Sequence, residues 1–224
     1  MTRKTARSPR TEPWHPYAWQ VQSLLLAYPD PHPQFQEHLA LARRVAAALP
    51  DPVAHSLLRF TVHAERTPPP DLETAYVATF DDRRRCCPYL TYYAHGDTRK
   101  RGIALLRLKQ AYTAAGWHVS DDELPDHLAV VLEFAATVPA AGHRLLTEHR
   151  AGLELLRLSL RESRSPWAHV LDSVSATLPV LAGDDREAVA RLAAEGPPEE
   201  QVGLVPYTPA QYMPDPTGAA GGPR

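Results

Sequence analysis

The stretch His143-Arg144-Leu145-Leu146-Thr147-Glu148-His149-Arg150-Ala151-Gly152-Leu153-Glu154-Leu155-Leu156-Arg157-Leu158-Ser159-Leu160-Arg161-Glu162 decides the fold class. Leu146, His149, Leu153, Leu156 and Leu160 recur every three, four or seven residues, the signature of a helix with one apolar face. The spacing predicts a single helix around 143–162. Working outward, nearly every other segment carries the same period, and proline punctuates the chain. No run alternates polar and apolar residues as half-buried strands do, and no repeat of 20–50 residues is visible.

Upstream, a helix is expected over about Tyr17–Ala27, with Val21, Leu24 and Leu25 on one stripe and Pro29 ending it. Phe35, Leu39, Ala42, Val45 and Leu49 mark the next, which stops at Pro50. Asp51 reads as the cap of a helix opened by Pro52, with Val53, Leu57 and Leu58 inward. Asp71 and Thr74 open another running to Phe80, and Pro88–Ala94 is a short tyrosine-rich apolar segment. From Thr98, an expected N-cap, to Ala115, the residues Ile103, Leu106, Gln110 and Thr113 mark a stripe. Leu105, Leu108 and Tyr112 widen it, and Gly116 is the stop.

Ser120 with Glu123 fits a capping box for a helix carrying Leu128, Val131, Leu132 and Ala135. Downstream, Ser165-Pro166 starts a helix with Val170, Leu171, Val174 and Leu178, and Asp184 with Glu187 caps a last one. The expectation is an all-α single domain of eight or nine short helices with mixed crossing angles. It spans residues 14–195, between a disordered basic tail (1–13) and an extended Pro/Gly-rich tail (196–224).

Composition narrows the function classes. The chain has 224 residues, 44% apolar and 22% charged, enough for a core without metal or disulfide staples. A net charge of −2 argues against a nucleic-acid binder. Arg3, Lys4, Arg7 and Arg10 read as a solvated tail. No stretch reaches the ~18 apolar residues of a membrane span, and Pro9, Pro13 and Pro16 interrupt any signal-type segment, so a cytoplasmic location is expected. Adjacent Cys86 and Cys87 would make a strained bridge and read as two thiols.

Enzymatic chemistry has little support. No two histidines lie three or four residues apart. Glu123 with His127, beside Asp122 and Asp126, is the nearest metal candidate, but a helix start explains those acids. Neither a nucleophile elbow nor a phosphate-cradling loop is present. Arg83-Arg84-Arg85 before the cysteines gives a basic setting that could activate a thiol, or simply solvated arginines beside buried sulfur. No cofactor, no metal and no catalytic residue is expected.

Two polar segments stand out. Asp121–His127 places four carboxylates and an imidazole in seven residues around Pro125. It reads either as a site or as a capping arrangement with an inert histidine. His95–Gly102 puts Arg99, Lys100 and Arg101 at a helix N-terminus, where the dipole disfavours cations. Asp81, Asp82 or the Asp121–Asp126 cluster would be their partners. Tyr76, Phe80, Tyr89, Tyr92 and Tyr93 are either core or the walls of a groove for an amphipathic helix.

These segments also carry a resemblance. Leu25-Leu26-Ala27-Tyr28-Pro29, the Tyr76–Asp81 segment, His95–Gly102, Glu123-Leu124-Pro125-Asp126-His127-Leu128 with Leu132-Glu133-Phe134, and Glu199-Glu200-Gln201-Val202 occur in order over most of the folded region. Together they resemble the assembly chaperones ("delta subunits") of membrane-bound nitrate reductase, within the wider family of molybdoenzyme maturation chaperones. Asp82–Pro88, with its arginine block, departs from the pattern.

The resemblance implies an all-helical, non-catalytic chaperone for unfolded or immature protein. It would bind the apo catalytic (alpha) subunit of respiratory nitrate reductase through that subunit's N-terminal segment, hold it ready for molybdenum cofactor insertion and delay membrane docking. It would then leave, without joining the finished enzyme. Glu123, Pro125, Asp126 and His127 are the main expected peptide-binding residues, with Tyr76, Phe80, Tyr89, His95 and Arg99 around them. Cofactor-delivery proteins are further expected partners; nucleic acid and membrane insertion are not. His127 between carboxylates would make peptide affinity pH-sensitive. The alternative reading is a chaperone for another molybdoenzyme with a twin-arginine leader, and a constitutive subunit or a hydrolase using Asp126 and His127 stand further off.

Overall fold

Proline sets many of the helix starts. In the computed structural model, which describes residues 11–30, 33–120, 123–181 and 183–198, proline occupies the first turn of α1 (His15–Leu26), α3 (Asp51–Arg66), α4 (Pro69–Phe80) and α8 (Pro139–Glu148). There its missing N–H breaks no helical bond and its φ is already helical. The other helices are α2 (Pro33–Ala46), α5 (Leu90–His95), α6 (Arg99–Ala114), α7 (Leu128–Thr137), α9 (Arg150–Glu162), α10 (Ala168–Ala176) and α11 (Gly183–Glu195). A 3-10 turn, Arg84–Cys86, precedes α5. The basic residues of 1–10 and the acidic segment from Glu199 lie outside the described residues.

The all-α expectation holds: among the described residues no strand forms, and the one β-type pairing is an isolated bridge between Tyr89 and His127. No helix among them is long and apolar enough to cross a membrane.

α7 forms the centre because its sequence leaves no polar face except Glu133 and Thr137; a helix apolar all round must be covered on all sides. Its residues from Leu128 to Ala135, Glu133 excepted, are buried. α1 packs along it, and α8 folds back against it. A Cβ built on Gly142 of α8 would sit 2.1 Å from the Ala135 Cα, so only glycine allows this approach. α3 packs against α2 and α10, while α9 contacts α10, α11 and α5.

Polar side chains tie the apolar layers together. The Trp19 indole donates to the Thr177 hydroxyl at 2.9 Å, and the Gln22 amide donates to Ser173 Oγ at 2.8 Å. Ser173 in turn donates to the Val53 carbonyl at 3.1 Å, and Ser23 to the Ala129 carbonyl at 2.7 Å. α1 is thereby fixed to α7 and to the C-terminal end of α10. The Trp167 indole donates to the Leu25 carbonyl at 3.2 Å, and its ring meets Phe60, Tyr76 and Phe80 at centroid distances of 5.7, 5.4 and 5.6 Å.

Several expectations change. The 143–162 stretch is two helices hinged at His149 (φ −98°, ψ 17°). The hydrogen-bond ladder runs on through the hinge, His149 N–H to the Leu145 carbonyl and Leu153 N–H to the His149 carbonyl, both at 3.1 Å. An apolar period survives such a bend, so it cannot report it. The tyrosine-rich segment contains α5, which brings the described α-helices to eleven.

α7 starts at Leu128, so Glu123 and Pro125 precede the helix in a turn, and Asp121 and Asp122 lie outside the described residues. Thr98 takes the expected N-cap position of α6, but its hydroxyl makes no capping bond and donates back to the His95 carbonyl at 2.8 Å. Nor does Asp51 cap α3, which takes it as a first-turn residue after Pro50. The stripe marked by Ile103 and Leu106 faces outward, each 57% exposed, and Leu108 and Tyr112 are the buried residues of α6. The inward face also carries Arg101, which hides it from a hydrophobicity pattern. Leu58 is likewise exposed.

Cys86 is buried and Cys87 partly so, both reduced. Burial pushes both thiols above their ordinary pKa, outweighing the lowering by Arg83 and Arg101 respectively. They are structural thiols rather than activated ones.

Burial also keeps histidines neutral. The Glu12 N–H donates to His15 Nδ1 at 2.8 Å, so that nitrogen carries no proton. The His15 ring stacks on Trp19 at 5.0 Å and lies 5.9 Å from His143. Burial lowers the pKa of His15, and the charge of His143 lowers it further; His38, His143, His149 and His169 are also lowered, first of all by burial.

Two outcomes follow for stability. Trp167→Ala should cost about 3–5 kcal/mol, read as a shift of the urea midpoint. In the unfolded chain these imidazoles take up protons near pH ~6.5, while the folded ones stay neutral to lower pH. Stability should therefore be complete above about pH 6.5 and fall as the pH drops below it; a urea midpoint unchanged between pH 7.5 and 5.5 would contradict this.

Candidate functional site

Two extended residues, Tyr89 and His127, each just before a helix, build the site's floor. Leu90 N–H donates to the Asp126 carbonyl and Leu128 N–H to the Pro88 carbonyl, each at 2.9 Å. This antiparallel bridge places Tyr89 beside His127, with ring centroids 5.3 Å apart and nearly perpendicular. Behind it the Tyr112 hydroxyl donates to the Pro125 carbonyl at 2.6 Å, holding the turn that precedes α7.

Asp126 is fully buried beneath this bridge. Its Oδ2 accepts from the Thr91 N–H at 3.2 Å and from the Thr91 hydroxyl, and lies 3.7 Å from an Arg101 nitrogen. The carboxylate thus caps the first turn of α5 from outside the helix. Arg101 also donates to Asp97 Oδ1 at 3.1 Å and sits over the Tyr89 ring, 5.6 Å from its centroid. Of the three cations of His95–Gly102, Arg101 therefore finds the expected partner in the 121–126 cluster. Asp126 acts through Thr91, Arg101 and Tyr89 rather than by facing solvent.

On the open side lies a groove of about 390 Å³. Tyr28 and Tyr76 form one wall, in edge contact at 5.4 Å; the Tyr76 hydroxyl donates to the Leu26 carbonyl at 3.0 Å. Tyr89 and His127, in contact with each other, form a second part of its lining. Leu24, Ala129 and Val130 supply apolar lining, and Leu124 (45% exposed) stands on the rim with Glu123 and Glu133. Burial raises the Glu133 pKa, and the nearby Glu123 charge raises it further. Burial lowers the His127 pKa despite the opposing charges of Asp126 and Asp81. At neutral pH the groove accordingly presents aromatic walls, a neutral imidazole and two carboxylates.

The structure brings Tyr76, Tyr89, Glu123 and His127 together on this lining. Pro125, Asp126 and Phe80 are buried behind it, Phe80 against Tyr76 at 4.7 Å. His95 and Arg99 stand apart, at the turn between α5 and α6. Tyr28, Leu124 and Glu133 were not singled out as binding residues, although each lies within a motif that carries the family resemblance. Among the described residues no group of three or more His, Cys, Asp or Glu side chains is placed to hold a metal ion.

The profile of the family described as "Nitrate reductase delta subunit" matches residues 46–172, more than half of the chain. The chain belongs to that family. This delta-subunit relative is 39% identical over 170 residues to the nitrate reductase-like protein NarX of Mycobacterium tuberculosis, covering 75% of the chain but only 25% of NarX. It is 32% identical over 154 residues to the nitrate reductase molybdenum cofactor assembly chaperone NarJ of Escherichia coli K12, covering 68% of the chain and 65% of NarJ. Its fold matches that of an Archaeoglobus fulgidus protein assigned to redox enzyme maturation, with a TM-score of 0.55, 22% identity, and coverage of 78% of this chain and 98% of the other.

Removing the buried carboxylate should act on stability first. Asp126→Ala leaves Arg101 facing an emptied site and uncaps α5, at a cost of about 3 kcal/mol. The measurement is a urea titration; a midpoint within error of the parent would show that Asp126 does not hold this joint.

Proposed function

We propose that this protein is a maturation chaperone that binds the apo catalytic subunit of nitrate reductase through its N-terminal segment. It keeps that subunit competent for molybdenum cofactor insertion, delays its docking at the membrane, and leaves before the enzyme is complete. Family membership supports the client, and E. coli NarJ carries the corresponding name. The groove supports the mode of binding, and it is the observation that carries the reading.

The groove's chemistry selects its ligand. An amphipathic helix inserting one large apolar side chain against Tyr28–Tyr76 and Tyr89–His127 would bury it there. A Lys or Arg one turn away would meet Glu123 and Glu133. Ordering a flexible segment costs ~2–5 kcal/mol, which keeps such binding releasable. Of the expected residues, Tyr76, Tyr89, Glu123 and His127 would contact peptide. Asp126, Pro125 and Phe80 would position them, while His95 and Arg99 would meet the client only beyond the groove.

The same two carboxylates favour a second reading, recognition of a twin-arginine leader from another molybdoenzyme. Cofactor-delivery proteins remain proposed partners of the loaded complex, and the cytoplasm the proposed location.

Calorimetric titration with a synthetic N-terminal peptide of the nitrate reductase catalytic subunit tests this. Micromolar-range binding is expected, weakened roughly fivefold by Glu133→Gln and more by Tyr76→Ala. A twin-arginine leader binding more tightly than that peptide would establish the second reading; no binding by either would reject the groove. Affinity should be level from pH 7 to 8 and fall only in acid, below the ordinary imidazole range, as His127 gains charge and Glu133 loses it, both opposing a cationic ligand.

A further inference from the structure

Where α3, the end of α9 and the start of α10 meet, positive charge gathers without a carboxylate. Two adjoining depressions of about 510 and 320 Å³ lie there, sharing His63 and His169. Arg59 and Arg66 of α3 line the wider one; Arg161 and Arg164, at the end of α9, line the narrower. No Asp or Glu is among the described residues that line either. Glu65 of α3 pairs instead with Arg43 of α2 at 2.5 Å. Asp172 accepts from Arg161 Nε at 2.9 Å, and its Oδ2 lies 4.0 Å from His169 Nδ1. Arg59, Arg66 and Arg164 form no ion pair among the described residues.

Ordinary helix electrostatics explains part of this. His63 and Arg66 lie in the last turn of α3 and Arg161 in that of α9, where the dipole favours cations. Arg59 stands outside that last turn, and His169 lies at the opposite end of its helix, in a first turn of α10 that holds no acid. Burial first, and then the Arg59 charge, lower the His169 pKa; Arg161 and His63 lower it further, and Asp172 opposes them. These groups repel one another across three helices, and an anion among them would relieve the repulsion.

Arg164 adds an independent sign. With φ at 55°, it is the one non-glycine residue in the left-handed region among those described. Its N–H donates to the Arg161 carbonyl at 3.0 Å, and the Ser165 N–H to the Leu160 carbonyl at 2.9 Å, which closes the end of α9. Glycine is the usual residue at such a position. An arginine stands there instead, and it borders the depression.

We propose that this concavity binds a small ligand carrying two linked phosphate groups, one beside Arg59 and Arg66 and the other beside Arg161 and Arg164. Each depression has its own pair of guanidiniums, and a planar guanidinium can donate two parallel N–H bonds to one phosphate. Leu58 and Val62, 39% and 38% exposed, offer the rest of the ligand an apolar edge. Each is more than half covered, so neither inserts into a bilayer as a membrane-surface helix requires. No Phe, Tyr or Trp among the described residues lines either depression as a platform for nucleic-acid bases. No residue lines both this concavity and the aromatic groove, and the proposal does not depend on what the groove binds.

Calorimetric titration of the full chain with inorganic pyrophosphate, at fixed ionic strength, tests it. Submillimolar binding is expected. Arg164→Gly puts the favoured residue at the left-handed position, so its urea midpoint should be no lower than the parent's while binding weakens roughly tenfold. Arg59→Gln should weaken binding by a similar factor, again without lowering the midpoint. Saturating pyrophosphate should also raise the pH at which the His169 ring titrates, followed by NMR. Affinity unchanged in both variants, or a His169 titration unmoved by bound pyrophosphate, would overturn the proposal. Absence of pyrophosphate binding would do so too, and binding of anionic phospholipid vesicles in its place would assign the basic face to a membrane surface.

Discussion

One buried carboxylate joins the parts of this molecule that have to meet. Asp126 lies between α5, which it caps through Thr91, and α6, whose Arg101 it approaches, and its own backbone forms the bridge that starts α7. A charge taken out of water is costly unless neighbours replace the lost hydration. Its position is therefore compatible only with an arrangement that brings Thr91 and Arg101 to it. The placement of Tyr89 beside His127, and hence one wall of the groove, follows from that demand.

Second in importance is α1, whose face toward α7 and α10 mixes large apolar groups with Trp19, Gln22 and Ser23. Each of these three finds a specific acceptor. Apolar packing alone would tolerate a helix sliding by a turn, whereas paired buried donors do not. The groove's other wall, Tyr28 and Tyr76, hangs from the end of this helix through the Tyr76 bond to Leu26.

The helical class was legible in the chain because apolar period and proline punctuation report local structure directly. Bends were not: Leu146 and Leu153 share a period on either side of the His149 hinge. The helix start was misjudged at Ser120, where a turn and the Tyr89–His127 bridge put off the start of α7 to Leu128, whereas Thr98 does precede α6 at the N-cap position although its hydroxyl bonds back to His95. The inward face of α6 was misread because its most important inward side chain is an arginine. At the site, Tyr76, Tyr89, Glu123 and His127 were legible as types to suspect, and Asp126 as a residue of consequence. That Asp126 is buried while Glu133 faces the groove depends on a bridge between residues 38 positions apart (Tyr89 and His127), which no local pattern encodes.

The bond from Trp19 to Thr177 joins residues 158 positions apart. During synthesis the groove's own lining is complete once Glu133 has been made, yet α1, from which one wall hangs, has its Ser23 bond to α7 but lacks those to Ser173 and Thr177 until these residues follow. At ~5–20 residues per second those 44 residues take roughly 2–9 s. A newly made chain thus passes through an interval in which its aromatic lining exists without its shape, exposed as apolar surface. The molecule acquires a groove late and nearly all at once, when the end of α10 closes over the beginning of α1.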